Sequence, residues 1–200
     1  NHPRHPIDPI HDTPGTKEHS MEVTILLGSP HLNGNTAALA AGFSDGAKMA
    51  GANVVRIDVD QLGVSPVDAK LLKRLEAGEN VDADGMDRVI DRLLASDVVV
   101  FATPLYYYGM SAQLKIVLDR FLARNGELQQ HPSRLVLLST SAGPGEEAMR
   151  PMIDQMRLVC GYLNWTYAGE VLATGLAVEH LGKARREAAK TFAEKLLKAN

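Results

Sequence analysis

Apolar positions along the chain alternate between two kinds of pattern. Short runs with little polar interruption occupy 23–27, 53–59, 97–102, 134–139 and 165–172, rich in Val, Ile and Leu. Runs of that length and composition predict strands, and the unbroken 97–102 segment reads as a central parallel strand covered on both faces. Between them, apolar residues recur at helical spacing. Met86, Val89, Ile90, Leu93 and Leu94 form one stripe, Leu114, Val117, Leu118, Phe121 and Leu122 a second, and Met149, Met152, Ile153, Met156 and Cys160 a third. A helix with a small-residue face over 37–50 follows the first strand and is closed by Gly51. A shorter piece runs through Leu71, Leu72 and Leu75 to Gly78, and a last helix over 179–198 turns Ala188, Phe192 and Leu196 inward. Segment 60–66 reads as a loop and 125–132 as a polar connection. Strand and helix thus alternate five times. With right-handed crossovers this predicts an α/β fold, a three-layer α/β/α sandwich on a five-stranded parallel sheet of order 2-1-3-4-5.

Composition narrows the picture without changing it. At 200 residues and 45% hydrophobic content the chain suits one domain over 21–200. Residues 1–20 carry four of the seven histidines and four of the ten prolines and read as an extension, vector-derived or non-native, ahead of Met21. If ordered, that extension is expected to pack along the body or across a neighbouring subunit. A net charge of −3 with no basic stripe argues against a nucleic-acid partner. No apolar run is long enough to cross a bilayer, so no membrane association is expected. The lone Cys160 falls on an apolar helix seam, fits a cytoplasmic setting and leaves no cysteine-rich metal site; none is expected elsewhere.

Three segments leave the carboxyl ends of the strands with unusual composition: 28–36, 103–110 and 139–145. In the predicted sheet order all three converge on one cleft at the point where the winding reverses. The first, Gly28 Ser29 Pro30 His31 Leu32 Asn33 Gly34 Asn35 Thr36, offers backbone amides, hydroxyls and side-chain amides in front of a helix N-terminus. Such a spot suits a phosphate. A Walker A loop would need Lys where Asn35 stands, and a dinucleotide fingerprint would need three glycines. The second segment, Pro104, Leu105, Tyr106, Tyr107, Tyr108 and Gly109, offers aromatics and backbone amides to a flat ring; the third, Thr140, Ser141, Ala142 and Gly143, offers hydroxyls and N–H groups to its polar border. A phosphate joined to a flat heterocycle is FMN. Taken singly each segment also reads as an ordinary connection, the tyrosines as an edge cover for the core. Their coincidence carries the functional reading.

The same residues resemble the NADPH-dependent FMN reductase branch of the flavodoxin-like proteins, which includes multimeric flavodoxins and iron-sulfur flavoproteins. The first loop is similar to G-S-P-R-x-x-G-N-T, and Pro104 Leu105 Tyr106 with Leu114 Lys115 Ile116 Val117 Leu118 Asp119 Arg120 is similar to P-x-Y leading into L-K-x-x-x-D-R. The resemblance spans about 21–175. It implies FMN phosphate on Ser29, Asn33, Asn35 and Thr36, the ring along Pro104 to Gly109, and the pyrimidine edge near Ser141 to Gly143. His31 stands in place of the family arginine, so a permanent bidentate partner is missing and FMN retention is expected to be weaker and pH-sensitive. Where iron-sulfur members carry cysteines this chain has Leu62 Gly63 Val64 Ser65 Pro66, which leaves no ligand for a cluster.

The expected activity is hydride transfer from NADPH or NADH to FMN and onward to a quinone, azo or nitro compound, or free flavin. In such chemistry the cofactor carries the reaction, so no dedicated acid or base is required; Tyr106, Tyr107 and Tyr108 are the candidates for a proton donor. The resemblance implies a homodimer or homotetramer with the tyrosine segment near a subunit contact. Lys115, Asp119 and Arg120 serve that contact or, equally, lie on a solvated helix face with Lys115 and Asp119 paired. The rival reading is an FMN electron carrier without NAD(P)H activity, which the near-balanced charge disfavours. A receiver domain would need acidic residues where Gly28 and Ser29 stand, and a phosphatase would need Cys and Arg in the first loop.

Overall fold

In the computed structural model, residues 20–79, 81, 84–176 and 180–198 are described; all but the last residue of the extension expected over 1–20, and the helix start expected at Glu179, lie outside them. Five parallel strands, β1 (Glu22–Leu27), β2 (Asn53–Asp58), β3 (Val98–Pro104), β4 (Arg134–Thr140) and β5 (Thr166–Ala173), form one sheet of order β2-β1-β3-β4-β5. The expected architecture and strand order are therefore those observed. Around the sheet lie α1 (Asn35–Met49), α2 (Ala69–Glu76), α3 (Met86–Leu94), α4 (Ala112–Asp119), α5 (Asn125–Gln130), α6 (Arg150–Leu163) and α7 (Lys183–Lys198).

Successive side chains of a strand point to opposite faces, so each central strand feeds two cores. Val23, Ile25, Leu27, Val98, Val100 and Ala102 pack with α1 and α7, whereas Leu26, Val99 and Phe101 pack with α3, α4 and α6. The layers differ in kind. On one face Met86, Ile90, Leu93, Leu114 and Met156 bury large side chains. On the other, Gly42 and Gly46 bring α1 against the backbone of α7: a Cβ at these positions would fall 2.4 Å from the Arg186 carbonyl oxygen and 2.1 Å from that of Lys190.

Three local expectations need correction. Segment 125–132 is not a bare connection: α5 forms there and buries Leu128, whose carbonyl accepts from the Trp165 indole at 3.0 Å. In α7 the buried residues are Ala189, Ala193 and Leu197; Ala188 is exposed, and Phe192 and Leu196 are half-buried, so the inward face is rotated by one residue. The stripe from Leu114 breaks when α4 gives way to a 3₁₀ turn at Arg120–Arg124, which keeps Phe121 inside and turns Leu122 to solvent. Cys160 is buried as expected, and burial pushes its thiol up to about 11. Among the described residues no helix is long and apolar enough to cross a membrane.

Candidate functional site

Beyond the carboxyl ends of β1, β3 and β4 lies a cavity of about 520 Å³, within the usual range for small-molecule sites. It is lined by Ser29, His31, Asn33, Gly34, Asn35 and Thr36 from the β1 exit, by Pro104, Leu105 and Tyr106 from the β3 exit, and by Thr140, Ser141 and Ala142 from the β4 exit. Leu176 and His180, between β5 and α7, complete the lining. Tyr107, Tyr108, Gly109 and Gly143, expected in the site, do not line this cavity.

The phosphate end is built by close packing. A Cβ on Gly28 would lie 2.6 Å from that of Leu114, so only glycine lets the strand turn here against α4. Gly34 occupies the cap position of α1 in an extended conformation and, having no side chain, supplies no capping bond. The helix start therefore has no side-chain cap, and the helix dipole favours an anion there. The Ser29 hydroxyl oxygen accepts from the His31 amide at 3.2 Å, and its proton reaches the His31 carbonyl only at a long 3.5 Å, a weak bond that an anion could replace. Thr36 and Thr140, both buried, share a hydrogen bond of 2.7 Å. One proton serves that bond, and the second hydroxyl proton remains for a ligand. Asn35 lines the cavity as expected of a site residue, and its side-chain oxygen also accepts from the Leu181 amide at 2.8 Å, which ties Leu181 to the first loop. These donors, with no carboxylate among the described lining residues, fit a phosphate monoester.

The β3 exit is arranged differently. Tyr106 and Gly109 exchange backbone hydrogen bonds of 2.9 and 3.0 Å around a tight turn, with φ of 47° at Tyr107 and 66° at Tyr108. Bulky residues rarely occupy that left-handed region. Tyr107 is wholly exposed. Behind the turn the Thr103 hydroxyl accepts from the Ser111 amide at 2.9 Å, Leu105 donates to the Thr140 carbonyl at 2.7 Å, and Ser111 caps α4.

Arg120, expected at a subunit contact or on a solvated face, is instead buried, because its guanidinium grips Asp84 and the Ser65 carbonyl. Burial raises the Asp84 carboxyl, but the bond from Arg120 and the Ser65 amide outweigh it and hold it below the usual carboxylate range. The segment that carries cysteines in iron-sulfur relatives is thus locked by an ion pair. Lys115 and Asp119 pair with each other on the surface of α4. Among the described residues no group of His, Cys, Asp and Glu could hold a metal ion.

A second cleft of about 460 Å³ lies between α6 and β5, lined by Glu146, Glu147, Asp154 and Glu170 against Arg150 and Arg157. Its acidic excess suits an anion poorly.

The sheet order and the place of the cavity at the β1/β3 switch define a flavodoxin-like protein. The sequence model described as NADPH-dependent FMN reductase matches residues 21–179, and the chain belongs to that family. It is 25% identical over 162 residues to a Bacillus subtilis (strain 168) protein named as an NAD(P)H-dependent FMN-containing oxidoreductase, YwqN, covering 78% of this chain and 86% of the relative. It is 30% identical over 125 residues to FMN-dependent NADH:quinone oxidoreductase 2 of Pseudomonas aeruginosa, covering 54% and 61%. The crystal structure of the azoreductase AzrA superposes with a TM-score of 0.70 at 19% identity, covering 87% of this chain and 99% of that one.

Proposed function

We propose that the protein is an NAD(P)H-dependent FMN oxidoreductase that passes hydride from NADPH or NADH to FMN and on to a small organic acceptor of the quinone, azo, nitro or flavin class. The observation that carries this reading is the convergence of three strand exits and an uncapped helix N-terminus on one cavity of about 520 Å³. Bound FMN supplies the hydride-accepting and electron-donating chemistry. The chain's own groups orient it. First-turn amides of α1 and the Ser29 and Thr36 hydroxyls hold the phosphate, the Pro104–Tyr106 strip lies along the ring, and Thr140, Ser141 and Ala142 face its polar border. Asp, Glu, Lys and Arg are absent from the described lining residues, so no fixed acid or base competes. Of the three tyrosines weighed as proton donors, Tyr106 lines the cavity; Tyr107 and Tyr108 stand outside.

A homodimer or homotetramer goes with this reading. It is supported by the exposed apolar Leu122, Leu158 and Tyr162 on the α4–α6 side. A cytoplasmic setting goes with it too. The test is anaerobic stopped-flow mixing of FMN-reconstituted protein with NADPH and, separately, NADH. Rapid loss of oxidised-flavin absorbance is expected with at least one of them. Protein that is colourless after reconstitution and desalting, or flavin that neither nucleotide bleaches, rules the reading out.

A further inference from the structure

One wall of the cavity comes from a segment with no phosphate-binding signature in its sequence. His180 lies there together with His31 from the first loop. Several ties set its place. The Leu181 amide donates to Asn35 at 2.8 Å, the Leu176 amide to the Ser141 carbonyl at 3.0 Å, and the Gly175 amide to the Gly143 carbonyl at 2.9 Å. The following helix, α7, rests backbone to backbone on α1 at Gly42 and Gly46, and Arg186 pairs with Asp45 at 2.8 Å. The segment is therefore positioned by the helix whose N-terminus would face the phosphate.

The charge inventory around this point is short. Among the described residues lining the cavity the titratable ones are His31, His180 and Tyr106. On neighbouring elements Asp45 is paired with Arg186 and Lys115 with Asp119, Glu146 and Glu147 line the other cleft, and Lys183 lies in the groove between α1 and α7. Glu179, next to His180 in sequence, lies outside the described residues. A phosphate monoester of nearly two negative charges would thus meet amides, hydroxyls and two imidazoles, with no permanent cation among the described lining residues.

We propose that His180 is the second cationic partner of the FMN phosphate, acting with His31 as a pair of protonatable imidazoles. The proposal rests on the FMN reading and specifies how that site is regulated. Imidazoles gain and lose their protons around neutral pH, and only the protonated form attracts the phosphate. Above the second ionisation of the phosphate near pH 6, affinity then falls as pH rises. The isoalloxazine ring feels none of this, so riboflavin, which lacks the phosphate, is insensitive.

The experiment is titration of apoprotein with FMN and with riboflavin, read by quenching of flavin fluorescence between about pH 6.5 and 8.5, in wild type, His180→Gln, His180→Arg and Glu179→Gln. Wild-type affinity for FMN is expected to fall about tenfold across that range, as expected when a charge-assisted bond is lost, while that for riboflavin stays level. His180→Gln should flatten much of the FMN slope by weakening binding at the acid end. His180→Arg should restore tight binding at the alkaline end, and Glu179→Gln should keep the wild-type slope. An unchanged slope in His180→Gln, or FMN and riboflavin bound alike by wild type throughout, overturns the proposal. Wild type that binds neither flavin at any pH overturns the FMN reading beneath it, a distinct result.

Discussion

The two ends of the cavity are made in opposite ways. At the phosphate end hydroxyls are buried and bonded to each other across the sheet, as in Thr36 to Thr140, and a glycine-lined helix contact stands behind them. At the tyrosine end two residues sit in left-handed backbone, one is wholly exposed, and the turn closes on its own two hydrogen bonds. On the proposed reading the first end would meet a group that never changes, the anion of a cofactor, and a rigid, pre-formed shape serves that. The second would face whatever acceptor arrives, and an exposed aromatic turn can adjust to flat molecules of different size. Strain tolerated there is the kind that accumulates at functional sites.

Four substitutions test this contrast, the largest effect first. Behind the tyrosine turn α4 is held at its start by the Ser111 cap and at its end by the Asp84 pair of buried Arg120. Asp84→Asn should cost about 3 kcal/mol in urea unfolding, because it leaves Arg120 without its counter-charge. Since the Asp84 carboxyl is held below its usual range, the ionised form stabilises the fold above the unfolded-state value near 4 and that contribution is lost as pH falls through the lowered folded value. Wild type and variant should therefore differ by a constant amount from about pH 8 to pH 5 and converge in stronger acid. Equal stability at neutral pH would show that the pair does not anchor α4.

On the phosphate side, Gly46→Ala would normally favour a helix by up to 1 kcal/mol, but here the new methyl meets the Lys190 carbonyl. Overpacking should reverse the sign and cost about 2 kcal/mol, with FMN affinity falling in parallel because α7 carries the His180 wall. A stabilised variant would mean that the two helices can separate freely. Thr36→Val should cost about 1.5 kcal/mol by stranding the Thr140 hydroxyl. Adding Thr140→Val should cost less than the sum of the two single changes, and strict additivity in the cycle would remove the cross-sheet bond from the account. The smallest effect is opposite in sign. Tyr107→Asn removes no packed surface and suits left-handed backbone, so it should stabilise by about 0.5 kcal/mol without changing FMN affinity. A destabilised Tyr107→Asn would show that the turn is as tightly held as the phosphate loop, and the contrast would fail.

The sheet and its order were legible because unbroken Val-rich runs and helical stripes each have one periodic signature. The three strand exits stood out by glycines, hydroxyls and aromatics at the right places. What escaped depends on the chain returning from a distance. His180 follows the fourth exit on the binding rim, that of β5, and the rule that ligands gather at carboxyl ends applies there too, yet nothing in 174–182 advertises a phosphate site. Asn35 belongs to a loop readable as phosphate-binding, but its bond to Leu181 exists only once α7 is in place. The burial of Arg120 is set by Asp84, 36 residues earlier, and no local pattern encodes that. The α7 face slipped by one position because small alanines, rather than Phe192 and Leu196, fit where α1 approaches most closely.

That close approach also determines what C-terminal shortening would do. Removing residues 183–198 would take no strand from the sheet and leave every sequence motif untouched. It would nonetheless uncover one side of α1, and the helix that on the proposed reading faces the cofactor's tail would lose the neighbour that props it.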